Sequence, residues 1–388
     1  MSSQLSSPNF YENRILEKYA AYETKRVTLR QLAVFGKTLT DEKLVRSANY
    51  VKHELSVRLA HRIRDFQSLP YIVGTNPHIE LIYNMYWNAF ERFRTYPEIQ
   101  TIEDNHRFCE MLQFMLDAHL VVIPQLALGI VESAGHMSRT EADRFMNEML
   151  RSRIGRRVLA EQHIALSSAF EEHGATIEPH QIGIINSNCN AKETVERCSA
   201  LAARIFRDGY GIEPPKVVMD GHVDATFTYI PDHIEYVIYE LIKNSMQFTI
   251  AKHAPGGLPE PTPALPDIRV TVGQSYHDIV FRISDEGGGF DKDVYENLWS
   301  YSHASKRKFL NFDMMPKLAA KMDEPVPVTL HLGLGLPMSR VYANYWGGSI
   351  NLQTMYGYGT DAYFRIGVGN QMEHLKFEED SNVMSIGK

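Results

Sequence analysis

Glu240 and Asn244 stand four residues apart in YVIYELIKNSMQFT, residues 236–249. Ile238, Leu241, Ile242 and Met246 recur there at helical spacing, so the run reads as an amphipathic helix entered after Pro231. Residues four apart share one helix face. A carboxylate beside a carboxamide suits magnesium nucleotide chemistry. The amide offers a neutral oxygen to a hard cation, and the carboxylate can hold a water or accept a hydroxyl proton. Taken alone, the pair reads more readily as a solvated polar face.

Three further stretches alter that balance. ISDEGGGF, residues 283–290, ends a strand in Asp285 and three glycines, Gly287 to Gly289. Such a turn lets the backbone come close to a ligand, and the carboxylate can accept from an exocyclic amine such as that of adenine. LGLGLPMSRVYANYWGG places Gly333 and Gly335 just before a helix with Pro337 near its first turn, where backbone N–H groups and the helix dipole favour phosphate. YGYGTD sets the Thr360 hydroxyl in a tight turn before a last strand. Each signal is ordinary by itself; their order along the chain is not.

The chain has 388 residues, long enough for two domains, and a net charge of −7, which argues against a nucleic-acid binder working by bulk electrostatics. Its three cysteines, Cys109, Cys189 and Cys198, are widely spaced and read as reduced residues without a disulfide frame or zinc site. No apolar run reads as a membrane span, and no secretory core or transit peptide is evident at the N-terminus.

These motifs need a scaffold. Residues 1 to about 37 are polar, then helical in character, with Tyr19, Tyr22 and Leu29 as packing candidates. A helix is expected over roughly 41–66, where Leu44, Val51, Leu55, Leu59 and Ile63 recur, followed by a turn-rich LPYIVGTNP. Further helices are expected around 78–96, 103–133 and 138–169. Asp104 and Ser138 are candidate N-caps, Ser138 with Glu141 as its capping-box partner. Four long helices joined by short polar connections predict an antiparallel bundle with Tyr83, Met85, Tyr86, Trp87, Phe90 and Phe93 in its core. The texture changes after Phe170. Strands at IGII, KVVMD, DATFTYI, DIRVTVG, HDIVFRIS, GSINLQT and TDAYFRI alternate with helices, one of them near 191–208 capped by Asn190 with Glu193. The pattern predicts a mixed sheet covered on one face, α+β in class.

The ordered set of motifs resembles the ATP-binding domain shared by histidine kinases, gyrase-type ATPases and related chaperones. YELIKNSM, GLGLPMSRVYANYWGGSINLQ and GYGTDAYFRI resemble more closely still the mitochondrial 2-oxoacid dehydrogenase kinases, the pyruvate and branched-chain enzymes. LSVRLAHRIRDFQSLPYIVGTNPHI resembles the branched-chain branch. The resemblance spans roughly 40–367. It implies an N-terminal extension (1–37), a regulatory, lipoyl-docking four-helix bundle (38–178), a histidine-kinase-like ATP-binding α/β sandwich (179–369) and a tail (370–388). It implies Glu240 as general base for a substrate serine, Asn244 as magnesium ligand and Lys243 near the phosphates. Asp285 would read adenine with support from Thr360. Gly287, Gly289, Ser302, Gly333, Leu334, Gly335 and Leu336 complete the ATP-binding set, under a lid between about 300 and 331.

The resemblance further implies ATP and Mg2+ as cofactors, and as partners the E1α subunit and lipoyl-bearing E2 core of a 2-oxoacid dehydrogenase complex. It implies a homodimer and a mitochondrial matrix location. The chain departs from the family at several positions. His331 replaces the first glycine of the usual Gly-x-Gly-x-Gly, Gln247 replaces an arginine, and Tyr236 stands where the pyruvate branch has histidine. The tail after Gly369 lacks the tryptophan that ties pyruvate-branch dimers.

Two positions in the bundle are open to more than one reading. His119 in DAHLVVIP has a proline five residues on, as a histidine-kinase phosphoacceptor box does, but Leu120 replaces the acidic residue that follows it in such boxes; a packed or substrate-facing histidine is the other reading. Arg153 and Arg157, one turn apart, match arginines that hold an inhibitory ketoacid in the branched-chain enzyme, or else form surface salt bridges. The expected function is a protein-serine kinase acting on E1α. A two-component-type histidine kinase and a non-catalytic nucleotide-binding scaffold are the alternatives.

Overall fold

A computed structural model describes residues 14–174, 180–210, 212–254, 265–302, 333–369 and 371–374. The helical part begins with two short helices, α1 (Arg14–Ala20) and α2 (Leu29–Gly36). Then come α3 (Asp41–Gln67), a single turn α4 (Tyr71–Gly74), α5 (Pro77–Thr95), α6 (Ile102–Ala118), α7 (Val122–Glu132) and the 35-residue α8 (Arg139–His173). Helix α3 packs on α5 and α8, α6 on α8 and α7 on α5, which makes a four-helix bundle with α6 and α7 as one kinked member. Phe66 sits at its centre, edge-on to Tyr83, Tyr86 and Phe145 at 6.2, 5.7 and 5.2 Å between ring centroids.

Local chemistry sets the helix ends and corrects two expectations. The cap of α6 is Thr101, whose hydroxyl accepts from Asp104 N at 3.1 Å; Asp104 is the reciprocal box partner and not the cap. The run 103–133 is not one helix. A 3-10 turn, His119–Val121, interrupts it, because Pro124 has no N–H and its ring displaces the carbonyl of Leu120 one turn earlier. Across this break α6 and α7 span 31 residues apolar enough, by length and composition, for a membrane span. Here they are kinked and packed inside the bundle. Ser138 and Glu141 form the expected box on α8. In LPYIVGTNP the chain makes one helical turn, and Asn76 then caps α5, accepting from His78 N at 2.9 Å.

Beyond residue 180 the chain builds two sheets. Strands β1 (Gln181–Ile182), β2 (Ile185–Asn190) and β4 (Thr226–Tyr229) form a small antiparallel sheet. The expected IGII strand is in fact a turn at Gly183, φ +60°, between β1 and β2. Five strands form the larger sheet in the order β3 (Val217–Gly221), β5 (Ile268–Gln274), β6 (Asp278–Asp285), β8 (Gly359–Gly367), β7 (Ser349–Met355). Among the described residues the β3–β5 pair is parallel and the other pairs are antiparallel, so the sheet is mixed. Helices α10 (Pro231–His253) and α12 (Gly335–Tyr345) pack on it, and α9 (Ala191–Tyr210) packs on α10; α11 (Lys292–Asn297) is a short exposed helix. Val270, Val272, Ile279, Phe281, Ile283, Phe364 and Ile366 are buried and alternate with less buried residues, the period expected when one face is covered. The α+β class and its order, bundle then sheet, are as the sequence predicts.

The two parts are joined by residues 371–374. Met372 bridges Thr28, Glu373 N donates to Val27 O at 3.0 Å, and His374 N donates to Tyr345 O at 2.9 Å. The Glu373 side chain, with no exposed surface, accepts from Arg58 at 2.8 and 3.0 Å, from Val27 N at 3.0 Å and from the Tyr345 hydroxyl. Arg58 also pairs with Glu54 at 3.0 Å. Gly155 of α8 leaves room for this cluster, since a Cβ there would overlap the Arg58 guanidinium and the Tyr345 hydroxyl.

Candidate active site

Helix α10 carries the predicted base and cation ligand, but with an asymmetry that spacing alone does not show. Glu240 is buried at 1% exposure and Asn244 is half-buried. Both Glu240 oxygens accept from the Lys243 ammonium at 2.7 Å. Burial raises the Glu240 carboxyl above its ordinary range, and Lys243 opposes that rise. Lys243 also lies 5.3 Å from the Tyr239 ring centroid. Gly335, the first residue of α12, packs directly on the carboxylate, and a Cβ at that position would overlap Glu240 Oε2. Leu334 gives the helix no side-chain cap.

Asp285 closes β6 beside α10. Its Oδ1 accepts from Gly287 N at 2.8 Å and Thr360 N at 3.3 Å, and its Oδ2 from the Ser245 hydroxyl at 2.9 Å. Burial raises its carboxyl, and these three bonds pull the other way. Gly289, φ +64°, admits the Thr354 hydroxyl and Met355 carbonyl where a Cβ would stand, and Thr354 Oγ1 accepts from Phe290 N at 3.0 Å. Lys252 ties the glycine turn to the β7–β8 turn, donating to the carbonyls of Glu286, Gly357 and Tyr358 at 3.0–3.1 Å.

The structure therefore gathers Glu240, Lys243, Asn244, Asp285, Gly287, Gly289, Leu334, Gly335 and Thr360 around α10 and the ends of β6 and β8, with Gly333 and Leu336 flanking Gly335. Ser302 belongs to a segment tied to the bundle: Tyr301 N donates to Asp143 Oδ1 at 2.8 Å and its hydroxyl to Asn147 at 3.0 Å. Most of the expected lid, and His331, lie outside the described residues. Gln247 is exposed and Tyr236 packs on Tyr342 at 4.9 Å. Sequence reasoning missed Ser245, Lys252 and Thr354. Lys252 had a signal, since Asn244, Phe248 and Lys252 follow one another at i, i+4, i+8 on one face. Ser245 and Thr354 had none.

For a magnesium ion, the fit turns on the donor set. Among the described residues no group of three His, Cys, Asp or Glu could hold a metal. A half-buried asparagine oxygen beside a phosphate chain is nonetheless what magnesium uses when substrate oxygens and water supply the remaining ligands.

In the bundle, Arg153 and Arg157 line one small cavity of about 40 Å³ with His119, Tyr86, Leu112, Met115 and a third arginine, Arg156. Arg156 donates to the Tyr86 hydroxyl at 2.7 Å and lies 4.4 Å from that ring's centroid. Arg157 pairs with Glu161, as the salt-bridge reading expects, while Arg153 Nε is buried without a hydrogen-bond partner. Arg156 stands three residues from Arg153, so the same face pattern could have found it. His119 stacks on Tyr86 at 5.7 Å, and burial together with the adjacent arginines pushes its imidazole down to about 3, which keeps it neutral.

Two family models match the chain in sequence. Residues 26–186 match the mitochondrial branched-chain alpha-ketoacid dehydrogenase kinase model, and residues 229–370 match the histidine kinase-, DNA gyrase B- and HSP90-like ATPase. A pyruvate dehydrogenase (acetyl-transferring) kinase of Arabidopsis thaliana is 31% identical over 365 residues, covering 93% of this chain and 95% of that protein. Kinase 2 of the same kind from Saccharomyces cerevisiae is 29% identical over 440 residues, covering 97% and 88%. Isozyme 4 from Rattus norvegicus is 28% identical, covering 90% and 82%. The helical bundle, the ATPase sheet with its motifs in order, and a similarity that runs nearly end to end place this chain in the mitochondrial 2-oxoacid dehydrogenase kinase family.

Proposed function

We propose that this kinase phosphorylates serine on the E1α subunit of a 2-oxoacid dehydrogenase complex in the mitochondrial matrix, using ATP. The observation that carries the reading is the joint placement of Glu240 and Asn244 on α10 with Asp285, which accepts from Ser245 of the same helix and from Thr360 N at the start of β8. Asp285 is set to accept the adenine amine, held by donors on both of its oxygens. The α12 N-terminus and Lys243 supply positive field for phosphates. Asn244 would hold magnesium, which on binding neutralises phosphate charge. Glu240 takes the serine proton as the hydroxyl oxygen attacks the terminal phosphorus. Catalysis is then mainly positioning and charge neutralisation.

The names of the relatives support the pyruvate complex as target, and the match of the bundle supports the branched-chain complex. Incubation of the protein with labelled ATP and each purified E1 separates these, and the expected product is acid-stable phosphoserine on E1α. Asp285→Ala is expected to lower labelling at sub-saturating ATP and to restore it at high ATP, because it removes the adenine acceptor and spares the base. Label that is acid-labile and sits on the kinase itself would favour the histidine-kinase alternative; no label on either E1 would favour a scaffold.

The three arginines of the bundle cavity support a carboxylate ligand there. Arg153 has an unpartnered buried donor and Arg157 reaches the same space. A small 2-oxoacid is expected to bind this cavity and oppose nucleotide binding, with a coupling of about 1–3 kcal/mol. Ketoacid titration with and without an ATP analogue, in wild type and Arg157→Ala, tests this. Ketoacid affinity indifferent to both would remove the regulatory site. The lipoyl-bearing E2 core as bundle partner, and the homodimer, rest on the family alone.

A further inference from the structure

Glu240 stands where a base is needed, yet its carboxylate is buried and held by a cation. Lys243 occupies both carboxylate oxygens at 2.7 Å, and the two side chains are 1% and 6% exposed. Oε2 lies against Gly335 at the N-terminus of α12, to which Leu334 offers no side-chain cap. An ammonium on one side and a helix N-terminus on the other form the usual surroundings of a bound phosphate. Here a side chain fills that place. Among the described residues Lys243 is the charge that acts on Glu240 from its own helix, and α12 meets the carboxylate with the glycine backbone.

We propose that Lys243 locks Glu240 in the nucleotide-free kinase, and that the phosphate chain of an adenine nucleotide frees the base by taking over both Lys243 and the α12 N-terminus. The proposal rests on Glu240 being the base. A triphosphate carries several negative charges against the single charge of a carboxylate, so it competes well for the same cation and dipole. The lysine stem is flexible enough to swing without backbone movement. Deprived of its cation, a buried carboxylate favours its protonated form and so accepts a proton more readily. The serine proton then passes to Glu240 and the serine oxygen bonds to the terminal phosphorus. The bond from that phosphorus to the bridging oxygen breaks, and its electron pair leaves with the nucleoside diphosphate. Base strength thereby rises when a nucleotide is present to use it.

Isotope-edited infrared spectroscopy on the full chain labelled with 13C-glutamate tests the lock, with Glu240 identified as the band missing in Glu240→Gln. Adding a non-hydrolysable ATP analogue to wild type is expected to shift that band and raise its titration midpoint by about one unit or more, a tenfold gain in proton affinity. In Lys243→Met the band should already lie at the released position without nucleotide. In Lys243→Arg, which keeps a cation, it should lie near the locked position until the analogue is added. A wild-type band unmoved by analogue that calorimetry shows to be bound would overturn the proposal. So would a nucleotide-free Lys243→Met band at the wild-type position, a comparison that holds even if this variant binds nucleotide poorly. Full kinase turnover in Glu240→Gln would instead remove the base assignment, a failure that the infrared shift does not mimic.

Discussion

Glu240→Gln is expected to slow phosphoryl transfer to the protein substrate by about 10²–10⁴-fold, the usual contribution of a positioned proton acceptor. Nucleotide binding should persist, and its affinity should equal or exceed that of wild type. The amide is nearly the size of the carboxylate, so the packing against Gly335 survives. Its neutral head cannot compete with phosphate for Lys243. Single-turnover transfer of labelled phosphate, with analogue binding followed in parallel by calorimetry, separates the two effects. Wild-type transfer rates in this variant would show that the proton goes elsewhere. Equal losses of binding and transfer would show that Glu240 shapes the pocket and does no proton chemistry.

The second large effect is expected far from the nucleotide. Glu373→Ala should cost about 3–5 kcal/mol of stability, the typical result of removing one partner from a buried ion pair. Arg58 is 3% exposed, and Glu54 alone would remain to balance a guanidinium that now meets two carboxylates. Burial opposes that charge and its acidic neighbours favour it, with the result that its pKa lies above the ordinary arginine value. The backbone N–H of Val27 and the hydroxyl of Tyr345 would lose an acceptor as well. Denaturant unfolding should show the loss, and the triple variant Glu54→Gln, Arg58→Met, Glu373→Met should recover part of it by removing all three charges. A single variant within about 1 kcal/mol of wild type would mean that water enters the cluster and solvates Arg58.

What could be read from the sequence divides along the range of the contacts. The bundle helices, the capping box at Ser138, the strand alternation and the glycine turn after Asp285 all follow from residues a few positions apart, where propensity and periodicity act. The kink at His119–Val121 was legible in the same way, since Pro124 dictates it; a continuous apolar period concealed it. The Lys243–Glu240 pair was within reach too, three residues apart on one helix, but spacing does not say that both partners are buried. The Ser245 bond to Asp285 and the Arg58–Glu373 cluster join residues 40 and 315 positions apart. Only the folded topology brings them together.

That last cluster also sets an order of events. Arg58, Glu54 and the Val27 amide leave the ribosome more than 300 residues before Glu373, their shared partner. The nascent bundle can collapse around its aromatic centre during synthesis, but its Arg58 has Glu54 as its one carboxylate partner until the sheet has been made and residue 373 has emerged. Completion of the bundle is therefore deferred until residue 373 has been translated, and the two parts mature together.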